Sequence, residues 1–167
     1  HPSPPAPPST PGIWTSPVYE DWWPGATGWT GTSLALSTCA QFGTMLGGYQ
    51  VLNASAYLEK TFTNLPPHSS LRLRLTFTRI DKLDTGLIYV DGGEAWRHVF
   101  GVGGVTGAQH ACGLASGYYE DLQVKVDVTV THFAESVTIR VAGALSYWQN
   151  TAGDGGVGIE AGRVDAA

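Results

Sequence analysis

Two stretches of strict alternation limit this 167-residue chain more than any other feature. Between Ser70 and Ile80, Leu71, Leu73, Leu75 and Phe77 fall on one face, and Arg72, Arg74, Thr76 and Thr78 on the other. Between Leu122 and Thr131, Leu122, Val124, Val126, Val128 and Val130 alternate with Gln123, Lys125, Asp127, Thr129 and Thr131. A period of two belongs to a strand that buries one face. A helix would need apolar residues three and four apart over ~10–12 positions, and no span offers that pattern.

Shorter strands fit around these two. In Ser55–Leu65, Ala56, Leu58 and Phe62 lie opposite Tyr57, Glu59 and Thr61, and Pro66-Pro67 ends the ladder. Leu34–Leu36, Leu87–Val90, Ala95–Phe100 and Gly156–Val164 also read as strands. Val137, Ile139 and Val141 read as the hairpin partner of Leu122–Thr131, across a turn at His132–Glu135. Turns are expected at Gly47-Gly48, Asp81–Gly86 and Asp91-Gly92-Gly93, and a long Gly-rich loop at Gly101–Gly117. The phase break at Arg79-Ile80 predicts a bulge. A turn or two over Thr38–Met45 is the only helix the pattern allows. About eight to ten strands of this kind imply an all-β fold, two antiparallel sheets packed face to face. A jelly roll fits better than an immunoglobulin domain, because Cys39 and Cys112 sit in Gly-rich segments rather than in alternating strands.

The chain divides into a segment over residues 1–12 and a sandwich domain over residues 13–167. Six of the ten prolines lie in the first eleven residues. Proline fixes φ and removes a donor, so HPSPPAPPSTPG is expected as polyproline II rather than as part of a sheet. Ser3, Ser9 and Thr10 beside these prolines have the composition of an O-glycosylated stalk. A plain linker, or a ligand for an aromatic groove on a partner, are the alternatives. The chain opens on His1 rather than Met, so a processed piece of something longer is expected.

Charge excludes some functions. The net charge is −5 and the three lysines, Lys60, Lys82 and Lys125, are far apart. Nucleic-acid binding, which needs clustered Lys and Arg, is not expected. No run approaches the ~20 apolar residues of a membrane-spanning helix. Low charge with much Gly, Thr and aromatic content suits an extracellular β domain. The two cysteines are consistent with a disulfide in an oxidising compartment, the alternative being two buried thiols.

Motifs for catalysis are missing. There is no G-x-S-x-G, no phosphate loop and no HExxH, and the five histidines show no zinc-ligand spacing. Glu20-Asp21 and Glu120-Asp121 read as surface acids beside packed aromatics. An enzyme is not expected. Asp81 and Asp84, in one turn, and Asp154, before the last strand, are candidate ligands for Ca²⁺, which takes loop carboxylates and carbonyls. Aspartate also favours turns for its own hydrogen bonds. Trp14, Trp22, Trp23 and Trp29 lie in loop-like sequence and are candidates for stacking on a sugar, or for clamping the polyproline segment of a neighbouring subunit. Packing is the other account of each. Asn53-Ala54-Ser55 is an N-glycosylation sequon.

A set of motifs resembles a module of secreted and surface proteins of ciliates and green algae. They are Thr38-Cys39-x-x-Phe42-Gly43-x-Met45-Leu46-Gly47-Gly48-Tyr49, Lys60 to His68, Ile80-Asp81-x-x-Asp84, Tyr89-Val90-Asp91-Gly92, Cys112-Gly113 and Gly158-Ile159. Leu83 and Val157 stand where that module has Trp. The first residues resemble the hydroxyproline-rich segments of algal wall and flagellar-hair glycoproteins. The resemblance implies a galactose-binding-like sandwich, a bridge between Cys39 and Cys112, and glycosylated hydroxyproline among Pro2, Pro4, Pro5, Pro7 and Pro8. The expected function is a structural subunit or repeat module of an extracellular glycoprotein fibre or coat. It would self-associate through the Pro-rich segment and the sandwich, and carry covalent glycans. The second expectation is a calcium-dependent carbohydrate-binding or adhesion module.

Overall fold

The computed structural model describes residues 17–19, 27–53, 55–101, 105–113, 117, 119–144 and 155–167. They form eleven strands: β1 (Pro17–Tyr19), β2 (Trp29–Gly31), β3 (Leu36–Thr38), β4 (Thr44–Gly47), β5 (Tyr57–Phe62), β6 (Ser70–Asp81), β7 (Thr85–Val90), β8 (Gly93–Val99), β9 (Leu122–Thr131), β10 (Val137–Ala144) and β11 (Gly155–Ala166). A single 3-10 turn at Ala40–Phe42 stands where one or two helical turns are expected. Among the described residues no helix is long and apolar enough to cross a membrane.

The strands make two antiparallel sheets. One runs β3-β4-β11-β6-β9, with β1 also on β11; the other runs β2-β5-β10-β7-β8. The inward residues of β6, including Leu71, Leu73, Leu75 and Phe77, meet Leu58, Phe62, Ile88, Val137, Ile139 and Val141 of the second sheet in one core. Between β6 and β11 the chain changes sheet at every connection except the β7–β8 hairpin. That hairpin turns on Asp91-Gly92, both at positive φ (48° and 81°), the Asp-Gly pair favoured by a two-residue turn.

Three local expectations are corrected. β9 and β10 are not a hairpin: β9 pairs with β6, whereas β10 lies between β5 and β7 in the opposite sheet. β6 runs unbroken against β9, and the irregularity falls in β11 between Glu160 and Arg163, where Ala161 has φ 50°. Of the five apolar residues of β9 only Val126 is fully buried, because β9 is a sheet edge. Conversely, Thr76 and Thr78 face outward yet are buried. Lys125 Nζ donates to Thr76 Oγ1 at 2.7 Å, and Gln123 Nε2 to Thr78 Oγ1 at 3.3 Å.

A smaller cluster of Cys39, Met45, Ile80 and Cys112 sits beside the main core. Cys39 and Cys112 are disulfide-bonded, with Cα atoms 5.2 Å apart. The bridge ties the segment between β3 and β4 to the long loop before β9.

Candidate functional site

The outer face of the five-stranded sheet carries a groove of about 510 Å³, within the ~300–1,000 Å³ range of small-molecule sites. Its floor follows from register. β10 runs down the middle, with Ala142 between Tyr57 of β5 and Leu87 of β7, and Arg140 between Glu59 and Tyr89. Ala142 and Gly143 are small, so β10 is a trough and its neighbours are the banks. Two strand spacings make that trough roughly 10 Å wide.

Tyr57 is 36% exposed. The Arg140 guanidinium lies over its ring, 4.1 Å from the centroid, and Arg140 Nε donates to Glu59 Oε2 at 2.7 Å. Thr138 closes one end: its hydroxyl is 2.8 Å from that of Thr61, and its N–H donates to Asp91 Oδ1 at 2.8 Å. Behind this end, His132 Nε2 lies 2.9 Å from Asp91 Oδ2, His68 Nε2 lies 2.7 Å from His132 Nδ1, and His68 Nδ1 donates to Pro66 O at 2.6 Å. These bonds fix the Asp91-Gly92 turn, and Gly92 lines the groove.

Sequence reasoning missed this site. Tyr57, Glu59 and Thr61 read as the polar face of one strand, but their neighbours depend on which strands share a sheet. Likewise His68 and His132 are 64 residues apart and meet only through topology.

Of the candidates named from sequence, none among the described residues lines the groove. Trp29 is 3% exposed, inside the core, so it offers no stacking face; its position opposite Lys60 in β2 turns it inward. Trp14, Trp22, Trp23, Asp154, Ser3, Ser9, Thr10, Pro2, Pro4, Pro5, Pro7 and Pro8 lie outside the described residues. Asn53 is part-exposed and bridges to Gly156, with Ser55 exposed beside it.

Asp81 and Asp84 lie at the end of β6, around a buried cation. Arg79 is 1% exposed; its Nε donates to Leu83 O at 2.8 Å and one Nη to Glu120 O at 2.7 Å. Burial lowers its pKa, and Glu120, Asp121, Asp81 and Asp84 pull the other way. Asp121, fully buried, accepts from the N–H groups of Asp81 (2.9 Å), Ala111 (2.8 Å) and Cys112 (2.6 Å). Burial raises its pKa against these three bonds. Asp84 accepts from Thr85 Oγ1 at 2.9 Å. Among the described residues no three His, Cys, Asp or Glu are placed to hold a metal ion. Asp154, the third of that candidate set, lies outside the described residues; Asp81 and Asp84 stand near the buried Arg79 guanidinium, which supplies positive charge here.

No family model matches this sequence, and no curated protein matches it. Solved structures do match its fold. A family GH115 4-O-methyl-α-glucuronidase with specificity for decorated arabinogalactans aligns with a TM-score of 0.51 at 13% identity, over 92% of this chain and 18% of the enzyme. A family 35 carbohydrate-binding module from Clostridium thermocellum aligns at 0.46 and 17% identity, over 92% of this chain and all of that one (100%). A family 36 carbohydrate-binding module solved with calcium and xylotriose aligns at 0.42 and 10% identity, over 85% and 96%. The fold is the two-sheet jelly roll expected from the sequence; at such identities the likeness reaches no further than the fold.

Proposed function

We propose that this domain is a non-catalytic carbohydrate-binding module that holds an oligosaccharide in the groove on its five-stranded sheet. The observation that carries the proposal is the trough over Ala142 and Gly143, with Tyr57 and Tyr89 on opposite banks and Glu59, Thr138 and Arg140 offering polar atoms. Amphipathic rings and a few convergent polar groups suit a ligand with apolar faces and hydroxyl edges. Glycoside hydrolysis uses two carboxyl groups across the bond. Among the groove's lining residues Glu59 is the only carboxylate, and it is held by Arg140. The disulfide fits an oxidising, extracellular compartment.

This is the carbohydrate-binding part of the second function expected from the sequence, taken without its calcium dependence. The fibre reading rests on the Pro-rich segment, which lies outside the described residues. We assign calcium no part in the groove, where Glu59 is the one lining carboxylate. Titration calorimetry with neutral oligosaccharides, with Tyr57→Ala beside the parent, tests the reading. Binding reduced by tenfold or more in Tyr57→Ala is the expected result. Equal binding by the two proteins, or none by the parent, defeats it.

A further inference from the structure

The groove contains a charge pair that is closed on itself. Arg140 and Glu59 face each other in register across β10 and β5, 2.7 Å apart, and both side chains are part-exposed. They are the only charged residues among those lining the groove. On the neighbouring β8, Glu94 opposes Tyr89 of β7 and is bonded to Arg97 of its own strand through both carboxylate oxygens, at 2.9 and 2.8 Å. Asp91, at the groove's end, is taken up by His132 and the Thr138 N–H. The trough thus offers polar atoms with no net charge among its lining residues.

Arg140 is the group that could hold a ligand carboxylate. Its guanidinium has five donors in a planar fork that matches a carboxylate with two parallel bonds. Glu59 already occupies Nε, and the Tyr57 ring covers one face. A uronate at the remaining Nη end would set its carboxylate beside that of Glu59, and like charges at such range repel; a uronate that displaced Glu59 instead would leave that carboxylate unpaired. A neutral sugar pays neither cost. Its hydroxyls can donate to the free lone pairs of Glu59 and accept from the remaining guanidinium N–H groups.

Building on the groove reading above, we infer that the Glu59–Arg140 pair is the specificity element of this site, selecting uncharged oligosaccharides and rejecting uronates. Two variants open the pair in opposite senses. Glu59→Gln frees the guanidinium beside Tyr57; Arg140→Gln leaves a lone carboxylate.

The test measures affinity for cellohexaose and hexagalacturonate by calorimetry at low and moderate salt, with folding of each variant checked by thermal unfolding. The parent should favour the neutral hexasaccharide. Glu59→Gln should move the ratio of affinities toward the uronate by roughly tenfold, the scale of a hydrogen bond to a charged group, and that gain should shrink as salt screens it. Arg140→Gln should move the ratio the other way. A general loss of structure would weaken both ligands together, so opposite shifts identify charge selection. A parent that binds the uronate as well as the neutral sugar overturns the inference, as does a ratio unmoved in both variants; in either case a loss of binding in Tyr57→Ala leaves the groove reading standing. A parent that binds neither sugar removes both.

Discussion

Asp121 accepts three N–H bonds through its two oxygens while fully buried, so it acts as a spacer that only a carboxylate can be. Asparagine has one acceptor oxygen and would turn an NH₂ toward a backbone N–H. Asp121→Asn should therefore cost about 1–3 kcal/mol in urea unfolding, the penalty of buried unpaired donors. Asp127 lies on the surface and works differently. Its carboxylate is gripped by Arg72 through two bonds, at 2.7 and 2.6 Å. The Arg72 hydrogen bond holds its pKa below the ordinary aspartate value. A carboxylate depressed in the folded state contributes stability above its unfolded pKa, and that contribution disappears as pH falls through the folded one. A pH series of unfolding midpoints should show this acid-side loss in the parent, and Asp127→Asn should flatten it. An acid limb of equal slope in both proteins would contradict the assignment.

Within the strands, the approach of the two sheets is set where β7 crosses β6. A methyl group on Gly86 would lie 2.8 Å from two ring atoms of Phe77 and 3.0 Å from Trp96. Phe77 is fully buried and cannot swing away. Gly86→Ala should destabilise by about 1–3 kcal/mol through overpacking, read as a lower urea midpoint with an unchanged slope. The same crossing shows what was legible in the sequence. Alternation in β6 announced which residues face the core, because a strand's faces are a local property. It could not announce the partner. β9 and β10 each alternate and are joined by a short turn, the pattern of a hairpin, yet Leu65 and Ser69 take the backbone of that turn in different directions, Leu65 N–H to Glu135 O and His132 N–H to Ser69 O. The groove was hidden for this reason: Tyr57, Arg140 and Tyr89 carry no common motif, and only sheet order sets them side by side. Trp29 was misplaced because a three-residue strand is too short to display a period. Burial of Thr76 and Thr78 was also invisible, since it depends on the long side chains of β9 folding over them.

Across the whole molecule the Cys39–Cys112 bridge spans 73 residues of sequence and encloses β4 to β8. Constraining the unfolded chain over such a loop contributes about 4 kcal/mol in the chain-entropy description. Cys39→Ala with Cys112→Ala should lose most of that and lower the melting temperature by several degrees or more; a variant as stable as the parent would show that the bridge is incidental. The order of the first sheet has a consequence of another kind. Its middle strand, β11, covers residues 155–166, whereas its neighbours β4 and β6 are complete by residue 81. During synthesis, β4 and β6 must therefore wait with unsatisfied ladder edges until β11 is made, the condition under which nascent β proteins stick to one another. A released chain ending at residue 154 should be protease-sensitive and retained by chaperones, whereas one that carries β11 should be protease-resistant as a closed sandwich.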